Sequence, residues 1–330
     1  MSDEQTPPPI PKPKPTNKEA VAELWRRGAI WYKLNQTQKE LYDLVLEADK
    51  RIIVWLASRR IGKSFTLCVM AIEMCIKKER SIVKYLCPDA KQARTIIVPI
   101  IAEILNDCPK NLRPEYLKQE GKYVFPNGSE LQIAGNDGGR AESLRGGLAH
   151  LCIIDEAGFC DNLKYNVQSV LLPTVSTTGG KIILSSTPPR TAGHEFTHFI
   201  EKAEAQGTFI KKTIFQNRMF SPAQVQEIMD TYEGGIENPE FRREYLCDLS
   251  RSLDDLIVPE FTPELKLEVV REHVRPPFFD YYVSADIGFK DFTAILFGYY
   301  DFRASKLIIE AEIVINKVTT ETLDQMIKQK

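Results

Sequence analysis

One stretch of this chain constrains its fold more than any other. Residues 51–56 form a short apolar run between polar neighbours, a pattern typical of a buried parallel strand. The run passes directly into the turn Ala-Ser-Arg-Arg-Ile-Gly-Lys-Ser at residues 57–64, and residues 64–77 then show helical periodicity. A strand, a tight turn and a helix in this order predict an α/β unit with the turn at the carboxyl end of a strand.

The composition of that turn favours phosphate binding. Backbone N–H groups of such a loop, together with those at the start of the following helix, point inward and bind phosphate oxygens. Lys63 would reach the β- and γ-phosphates of a nucleotide, Ser64 would hold Mg²⁺ through its hydroxyl, and Gly62 lets the backbone approach closely. Ala57 replaces the first glycine of the general pattern. A chance Gly-Lys-Ser is the alternative, which the flanking strand and helix disfavour.

A second apolar run, residues 151–154, ends in two acids, Asp155 and Glu156. Beside a bound nucleotide, the aspartate would belong to the ligand sphere of Mg²⁺. The glutamate would orient and deprotonate the attacking water. A solvated turn with two acids is the alternative, and the phosphate-binding loop upstream disfavours it.

A third apolar run, residues 181–184, is followed by the hydroxyl side chains of Ser185, Ser186 and Thr187. Hydroxyls at the carboxyl end of a strand in such a sheet lie beside the nucleotide. They would sense the γ-phosphate and relay its loss. A hydroxyl-capped turn before Pro188 is the alternative interpretation.

Strand and helix patterns alternate along most of the chain and predict an α/β domain with a mostly parallel sheet. Helices are expected over residues 91–106, with a kink at Pro99, and over residues 162–172. The predicted segments are a disordered proline-rich tail (1–16), a P-loop ATPase core (17–195), a lid or linker subdomain (196–255), an interdomain linker (256–280) and the start of a further domain (281–330).

Composition argues against several classes of protein. The net charge of −2 gives no basic surface overall, so nucleic-acid binding would need a local patch or channel. No stretch approaches about 18 consecutive apolar residues, so no membrane-spanning helix is predicted. Seven cysteines without C-x-x-C spacing, with only four histidines, argue against structural zinc and favour reduced thiols in a cytoplasm.

A different pattern begins after residue 280. Three strands at hairpin spacing are predicted over residues 281–285, 293–300 and 307–315, with a helix over residues 320–329. The first strand leads into Asp286, and Asp291 opens the next. An acid in a hairpin turn is the alternative to a functional role for Asp286.

Taken together, these motifs resemble those of large terminase subunits, the DNA-packaging ATPases of tailed bacteriophages. Residues 58–64 resemble the Walker A motif of that family, Asp155 and Glu156 its Walker B motif, and residues 185–188 its coupling motif. An arginine early in the loop and a non-glycine first position are features of terminases. Gln38, Arg145 and residues 241–248 agree with further family segments, so the resemblance spans roughly residues 30–315.

The resemblance implies a P-loop ATPase fold of the additional-strand, catalytic-glutamate type, with ATP and Mg²⁺ as cofactors. It implies packaging of double-stranded viral DNA into a procapsid by a homo-oligomeric ring of five subunits. The implied partners are the viral DNA, the portal protein and the small terminase subunit, with no membrane involved. The implied location is the host cytoplasm, on procapsids during assembly.

The resemblance also assigns roles to individual residues. Arg59 would be an arginine finger acting in cis, Arg145 one acting in trans, and Gln38 would read the adenine base. Either arginine could instead be a surface or DNA-facing residue, and Gln36 is an alternative to Gln38. The implied ATP-binding set is Gln38, Ser58, Arg59, Arg60, Ile61, Gly62, Lys63 and Ser64.

The region after residue 280 resembles the opening of the family's RNase H-like nuclease. Asp286 and Asp291 would hold two divalent metal ions, Mg²⁺ or Mn²⁺, that clamp the attacking and leaving oxygens. Glu310 and Glu312 remain unassigned. The family's other metal-binding acids lie further along its chains, so we expect these 330 residues to form no complete nuclease site and to show no cutting activity.

Two other functions remain open from the sequence. One is a P-loop helicase or translocase with another role, and the other is a docking protein with a vestigial ATP site. Translocation requires sequence-independent contact with phosphates. Candidate residues for that contact are Lys91, Arg94, Arg140 and the basic residues of 202–218.

Overall fold

The computed structural model describes residues 17–136, 142, 144–191, 193–249, 263–272, 274–288, 292–315 and 319–329. The chain divides into two compact units, Met1–Leu256 and Ile257–Lys330. The predictions for the tail 1–16, for Arg140 and for Asp291 fall outside the described residues. Within the described part, no helix is long and apolar enough to cross a membrane.

The first unit is built on an eight-stranded sheet. Its strands are β1 Ile52–Ala57, β2 Ile82–Cys87, β3 Glu115–Leu117, β4 Lys122–Val124, β5 Glu130–Gly135, β6 Leu151–Asp155, β7 Lys181–Ser186 and β8 Phe209–Lys212. The strand order is β3-β4-β5-β2-β6-β7-β1-β8. The six strands from β5 to β8 pair in parallel, whereas β3 and β4 form an antiparallel extension. The predicted mostly parallel α/β fold is confirmed.

Helices cover both faces of this sheet. They are α1 Asn17–Arg26, α2 Gln36–Glu47, α3 Lys63–Lys77, α4 Ala90–Gln92, α5 Val98–Ile104, α6 Leu163–Tyr165, α7 Leu172–Ser176, α8 Glu195–Ala205, α9 Pro222–Asp230 and α10 Pro239–Leu246. One apolar core contains buried side chains of α1, α2, α3 and α5. A second core on the other face contains those of α7 and α8. Apolar runs buried on both faces explain why the strand pattern is nearly continuous.

The position of β7 fixes the class of the fold. It lies between β1, which leads into the phosphate-binding turn, and β6, which ends in the acid pair. Its register places Ser185 opposite both Trp55 and Asp155. Because this strand is inserted between the two, the sheet has the additional-strand arrangement that the resemblance implied.

Two predicted helices are interrupted at prolines. A π-helical segment, Ala93–Ile97, precedes α5, in which Pro99 lies in the first turn. A second one, Asn166–Leu171, precedes α7, in which Pro173 lies in the first turn. Proline lacks an N–H and its ring clashes with the carbonyl four residues earlier, and a wider turn relieves that clash. The expected irregularity at Pro99 is confirmed, and the one at Pro173 was not anticipated.

The sheet extends beyond residue 195, where the core was expected to end. Strand β8 pairs with β1 in parallel, with Lys212 opposite Ala57. The strand has only four residues, two of them lysines. It lies at the sheet edge, so its sequence lacks the long apolar run of the central strands.

The second unit contains α11 Pro263–Val269, β9 Tyr282–Asp286, β10 Thr293–Asp301, β11 Lys306–Ile315 and α12 Thr320–Lys328. The three strands form an antiparallel sheet of order β11-β10-β9. Its core consists of Ile295, Phe297, Ile313 and Leu323. The three strands and the final helix predicted from sequence are therefore confirmed.

Candidate nucleotide-binding site

The phosphate-binding turn has the backbone shape that its sequence requires. Strand β1 ends at Ala57, and α3 begins at Lys63. Gly62 caps the helix at φ +88°, and Arg60 also has a positive φ of 64°. A Cβ atom on Gly62 would lie 2.1 Å from the Gln38 side-chain nitrogen. The left-handed backbone favours glycine at this position, and any side chain here would also displace the end of the Gln38 side chain.

Lys63 and Glu156 meet in one cleft. The Lys63 side chain is only 6% exposed, and its Nζ donates to the carbonyls of Ala57 at 3.0 Å and Ser58 at 3.3 Å. The same nitrogen lies 3.8 Å from Glu156 Oε1. The lysine from the turn and the acid that follows β6 therefore share one site, as both motifs predicted.

Asp155 is the most enclosed acid of the site, at 2% exposure. Tyr85 donates its hydroxyl to Asp155 Oδ2 at 2.8 Å, and Ser64 lies beside the same carboxyl group. The pKa of Asp155 is raised to about 6, chiefly by burial and then by the charge of Glu156, whereas Ser64, Tyr85 and Lys63 lower it. A hydroxyl and a carboxylate lining one cleft are oxygen ligands suited to Mg²⁺.

Glu156 has an unusual backbone, with φ 51° and ψ 45° in the left-handed region. This conformation is strained in a residue with a side chain, and such strain clusters at functional sites. The Glu156 carboxylate accepts a hydrogen bond of 3.4 Å from Ser186 Oγ. It is therefore aimed toward the end of β7, while part of it remains accessible to solvent.

Ser186 links the acid pair to the strand between the two motifs. Its Oγ accepts a 3.0 Å hydrogen bond from the backbone N–H of Gly158 and donates to Glu156. A Cβ atom on Gly158 would lie 2.8 Å from that oxygen and 3.0 Å from the Thr187 carbonyl. Ser185 and Thr187 are also buried. The predicted coupling segment thus lies against the acid pair, with Ser186 as its direct contact.

The remaining wall of the cleft comes from residues that the sequence analysis did not identify. Ser64, Asp155 and Glu156 line it together with Cys87, Pro88, Gln92, Ile96 and Ile97. These additional residues end or follow β2, or lie in α4 and the π-helical segment. Tyr85, which donates to Asp155, also belongs to β2. The one acid that closely follows this strand, Asp89, caps α4, so only the place of β2 beside β6 could have indicated a role.

Gln38 lies against the phosphate-binding turn. Its side-chain nitrogen is 3.4 Å from the Ile61 carbonyl, and its oxygen accepts from the backbone N–H of Asn35. Asn35 in turn caps the start of α2. The side chain connects this helix to the turn, and its predicted role in reading adenine stays a prediction.

Arg59 is held by the segment that follows the core. Its Nε donates to Glu244 Oε2 at 2.6 Å, and its backbone N–H donates to the Glu244 carbonyl. The hydrogen bond to Glu244 raises the pKa of the arginine. Nearby, the Asn217 side chain donates to the Arg60 carbonyl, and the Ser58 N–H donates to the Lys212 carbonyl. Three residues of the turn are thus tied to residues 212–244.

Arg145 lies outside the cleft wall. Its side chain is 60% exposed and makes an ion pair of 3.3 Å with Glu142. The structure therefore does not bring Arg145 to the Lys63–Glu156 site of its own chain.

The acids of the second unit are less enclosed. Asp286 is an exposed residue at the end of β9, where it pairs in register with Ala294. Glu312 pairs with Leu296, two residues further along β10, so alternation places it on the same sheet face as Asp286. Glu310 forms an ion pair with Arg275 at 3.6 Å. Among the described residues, no group of three or more His, Cys, Asp or Glu could hold a metal ion.

Comparisons with known proteins agree with this geometry. The family model of the terminase large subunit, T4-like-virus type, N-terminal part, matches residues 54–252. The large terminase of bacteriophage HK97 superposes with a TM-score of 0.61 at 15% identity, covering 95% of this chain and 70% of that one. The ATPase domain of the Thermus phage P74-26 large terminase gives 0.53 at 18% identity, covering 72% and 99%.

A third solved structure, a large terminase from a thermophilic bacteriophage in complex with ADP, gives a TM-score of 0.53 at 16% identity. It covers 90% of this chain and 74% of that one. At such identities these structures show a shared fold. No curated protein matches the chain.

Proposed function

We propose that this chain, which belongs to the T4-like-virus type of terminase large subunits, hydrolyses ATP in the Lys63–Glu156 cleft to drive the packaging of phage DNA. The observation that carries the proposal is the 3.8 Å approach of Lys63 Nζ to Glu156 Oε1 at the end of a parallel sheet. An ammonium that binds phosphate and a carboxylate that activates water must border the same cleft to act on one γ-phosphate.

Each group of the cleft has a defined task. Ser64 and Asp155 would hold Mg²⁺, which neutralises charge on the β- and γ-phosphates when it is bound with ATP. Lys63 would leave the carbonyls of Ala57 and Ser58 to bind the phosphates. Glu156 would accept a proton from the attacking water, and its hydrogen bond to Ser186 aims it. The buried surroundings strengthen these electrostatic interactions relative to water.

Hydrolysis would be linked to movement through the contacts of the turn. Arg59 is bound to Glu244 in α10. As a finger acting in cis, it would have to exchange this partner for the phosphates. That exchange would release α10 from the turn, so the phosphate state and the position of the 212–244 segment would change together.

Arg145 would act on a neighbouring subunit. It is exposed, and it lies outside the cleft of its own chain. In a homo-oligomeric ring, an arginine presented in this way would complete the active site next to it, where it would stabilise charge on the transferring phosphoryl group.

The proposal extends to the partners of the ring and to the second unit. The ring would act on double-stranded viral DNA at the portal, with the small terminase subunit, in the host cytoplasm. Lys91 and Arg94 are exposed residues that flank the cleft wall and are candidates for DNA contact. Asp286 would contribute to a two-metal nuclease site, for which the described residues supply no further assigned ligand.

The test is ATP-dependent DNA packaging by the full-length protein with procapsids and portal. Wild type should protect DNA from added nuclease only when ATP is present. Glu156→Gln should bind ATP and procapsids without protecting DNA. Normal protection by Glu156→Gln would contradict the proposal, as would wild-type assembly on procapsids with no ATP turnover, which would instead favour a docking protein.

A further inference from the structure

A lysine lies inside the sheet, on the face where the second apolar core packs. Lys84 is in β2 and is only 2% exposed. Alternation along the strand places it on the same face as Leu86, which belongs to that core. Its neighbours in register are Gln132 on β5 and Cys152 on β6. An ammonium in such a position is costly unless specific partners compensate for its loss of water.

The partners of this ammonium are two backbone carbonyls. Lys84 Nζ donates to the Leu144 carbonyl at 2.7 Å and to the Gly146 carbonyl at 2.6 Å. Among the described residues the structure gives it no ion pair. Burial lowers the pKa of Lys84. Both hydrogen bonds are charge-assisted, the class that is roughly twice as strong as neutral ones.

The two carbonyls lie on either side of Arg145. The preceding residue, Leu144, is 4% exposed and packs into the second core. The two following residues, Gly146 and Gly147, have φ values of +83° and +63°, and a Cβ on either would meet nothing within 4 Å. There is open space beside both glycines, and the Lys84 ammonium is a buried anchor for the carbonyl of the first of them.

We propose that Lys84 is a positioning residue that fixes the direction of Arg145. A buried cation holds the backbone before and after the arginine, so the exposed guanidinium projects from a rigid base. This inference rests on the proposed role of Arg145 in a neighbouring site. A rigid base matters for such a role, because an arginine finger acts only when it is held close to the productive geometry.

A matched pair of variants tests the anchor. Lys84→Met removes the ammonium and keeps an unbranched side chain. Lys181→Met is the control, because Lys181 Nζ also donates to two backbone carbonyls, those of Val45 and Leu46, and neither lies near Arg145 in sequence. Folding of both variants is checked by thermal unfolding. If the methionine variant does not fold, Lys84→Gln, which keeps one donor group, replaces it.

The first readout is tryptic cleavage after Arg145, followed by mass spectrometry. Lys84→Met should speed this cleavage by about tenfold or more, the change expected when a charge-assisted hydrogen bond is removed. Lys181→Met should leave it unchanged. Equal cleavage rates in Lys84→Met and wild type would overturn the inference, whatever Arg145 does in the ring.

The second readout is ATP turnover by the assembled ring. Lys84→Met should lower kcat and leave KM unchanged, and it should cause no further loss in an Arg145→Ala background. A loss of equal size in that background would overturn the inference, since Lys84 would then act independently of the arginine. If Arg145→Ala itself has wild-type kcat while cleavage responds to Lys84→Met, the anchor stands and the proposed role of Arg145 fails.

Discussion

The strands β6 and β9 both end in an aspartate, and the surroundings of these two aspartates differ. Asp155 ends a central parallel strand, is buried, accepts a hydrogen bond from Tyr85 and lies beside Ser64. Asp286 ends β9, an edge strand whose five residues are all exposed. The carboxyl ends of parallel strands gather groups from several elements at one edge, whereas residues of an antiparallel edge strand have a neighbouring strand on one side only. The first unit therefore holds an assembled site, and among the described residues of the second unit Asp286 is the one predicted metal ligand.

The largest effect is expected for Lys63 of the first unit, with a lysine of the second unit as its control. Lys63→Met should weaken ATP binding by about 100-fold or more, because it removes a buried ammonium that binds phosphate. Lys306→Met, an exposed change on β11, should leave binding unchanged. Fluorescent nucleotide titration measures both. Equal ATP affinities of the two variants would contradict the assignment of the nucleotide site to the first unit.

A glycine-to-alanine substitution in each unit tests whether ATP turnover depends on the first unit. Gly158→Ala places a Cβ 2.8 Å from Ser186 Oγ. It should lower kcat and destabilise the protein by about 1–3 kcal/mol, because the Ser186–Glu156 contact must shift. Gly298→Ala, whose Cβ would lie 2.1 Å from the Ile308 carbonyl, should disturb only the second unit. Denaturant unfolding measures the stability of each variant, and ATP turnover measures its activity. A lower turnover in Gly298→Ala would contradict the assignment of the active site to the first unit.

The pH dependence of nucleotide binding should follow Asp155. Burial raises its pKa to about 6, so at pH 5 only about a tenth of the carboxyl groups would be ionised and able to bind Mg²⁺. The affinity for Mg–ATP should therefore fall about tenfold from pH 7.5 to pH 5. Calorimetry at constant ionic strength measures this. A flat profile in wild type, matching that of Asp155→Asn, would contradict the assignment.

The smallest effect concerns stability without nucleotide. The folded-state pKa of Asp155 lies above the unfolded value, so ionisation of this group costs stability as pH rises through about 6. Asp155→Asn should therefore raise the free energy of unfolding at pH 8 by on the order of 1 kcal/mol, and the gain should vanish below about pH 4. Asp286→Asn should change it by less than about 0.5 kcal/mol. A lower free energy of unfolding of Asp155→Asn at pH 8 would contradict this prediction, because it would mean that the folded protein stabilises the ionised carboxylate.

The parts of the site that could be predicted from sequence are those carried by local patterns. Lys63 and Ser64 open the helix after the turn that follows β1, and Asp155 and Glu156 lie at the end of β6. Parallel pairing in one sheet then brings the two strand ends to the same edge. The resemblance also implied an inserted strand, and β7 lies between β1 and β6.

Contacts between residues far apart in the chain could not be predicted in this way. Glu244 is 185 positions from Arg59, and its place in a charged helix favours a solvated surface residue, although it is buried. Lys84 interrupts an apolar run, which by itself suggests only an edge or a defect. A strand over residues 209–214 was expected in the lid or linker subdomain, and its pairing with β1 at the sheet edge could not be predicted from its sequence. In each case a tertiary partner determines the role of the residue.

The central claim is that one cleft both binds ATP and activates the water that cleaves it. Single-turnover hydrolysis of bound, γ-labelled ATP in wild type and Glu156→Gln tests it directly. Wild type should release labelled phosphate, and Glu156→Gln should retain intact ATP with a rate about 10²- to 10⁴-fold lower at unchanged affinity. Release of phosphate by Glu156→Gln within a few-fold of the wild-type rate would contradict the account.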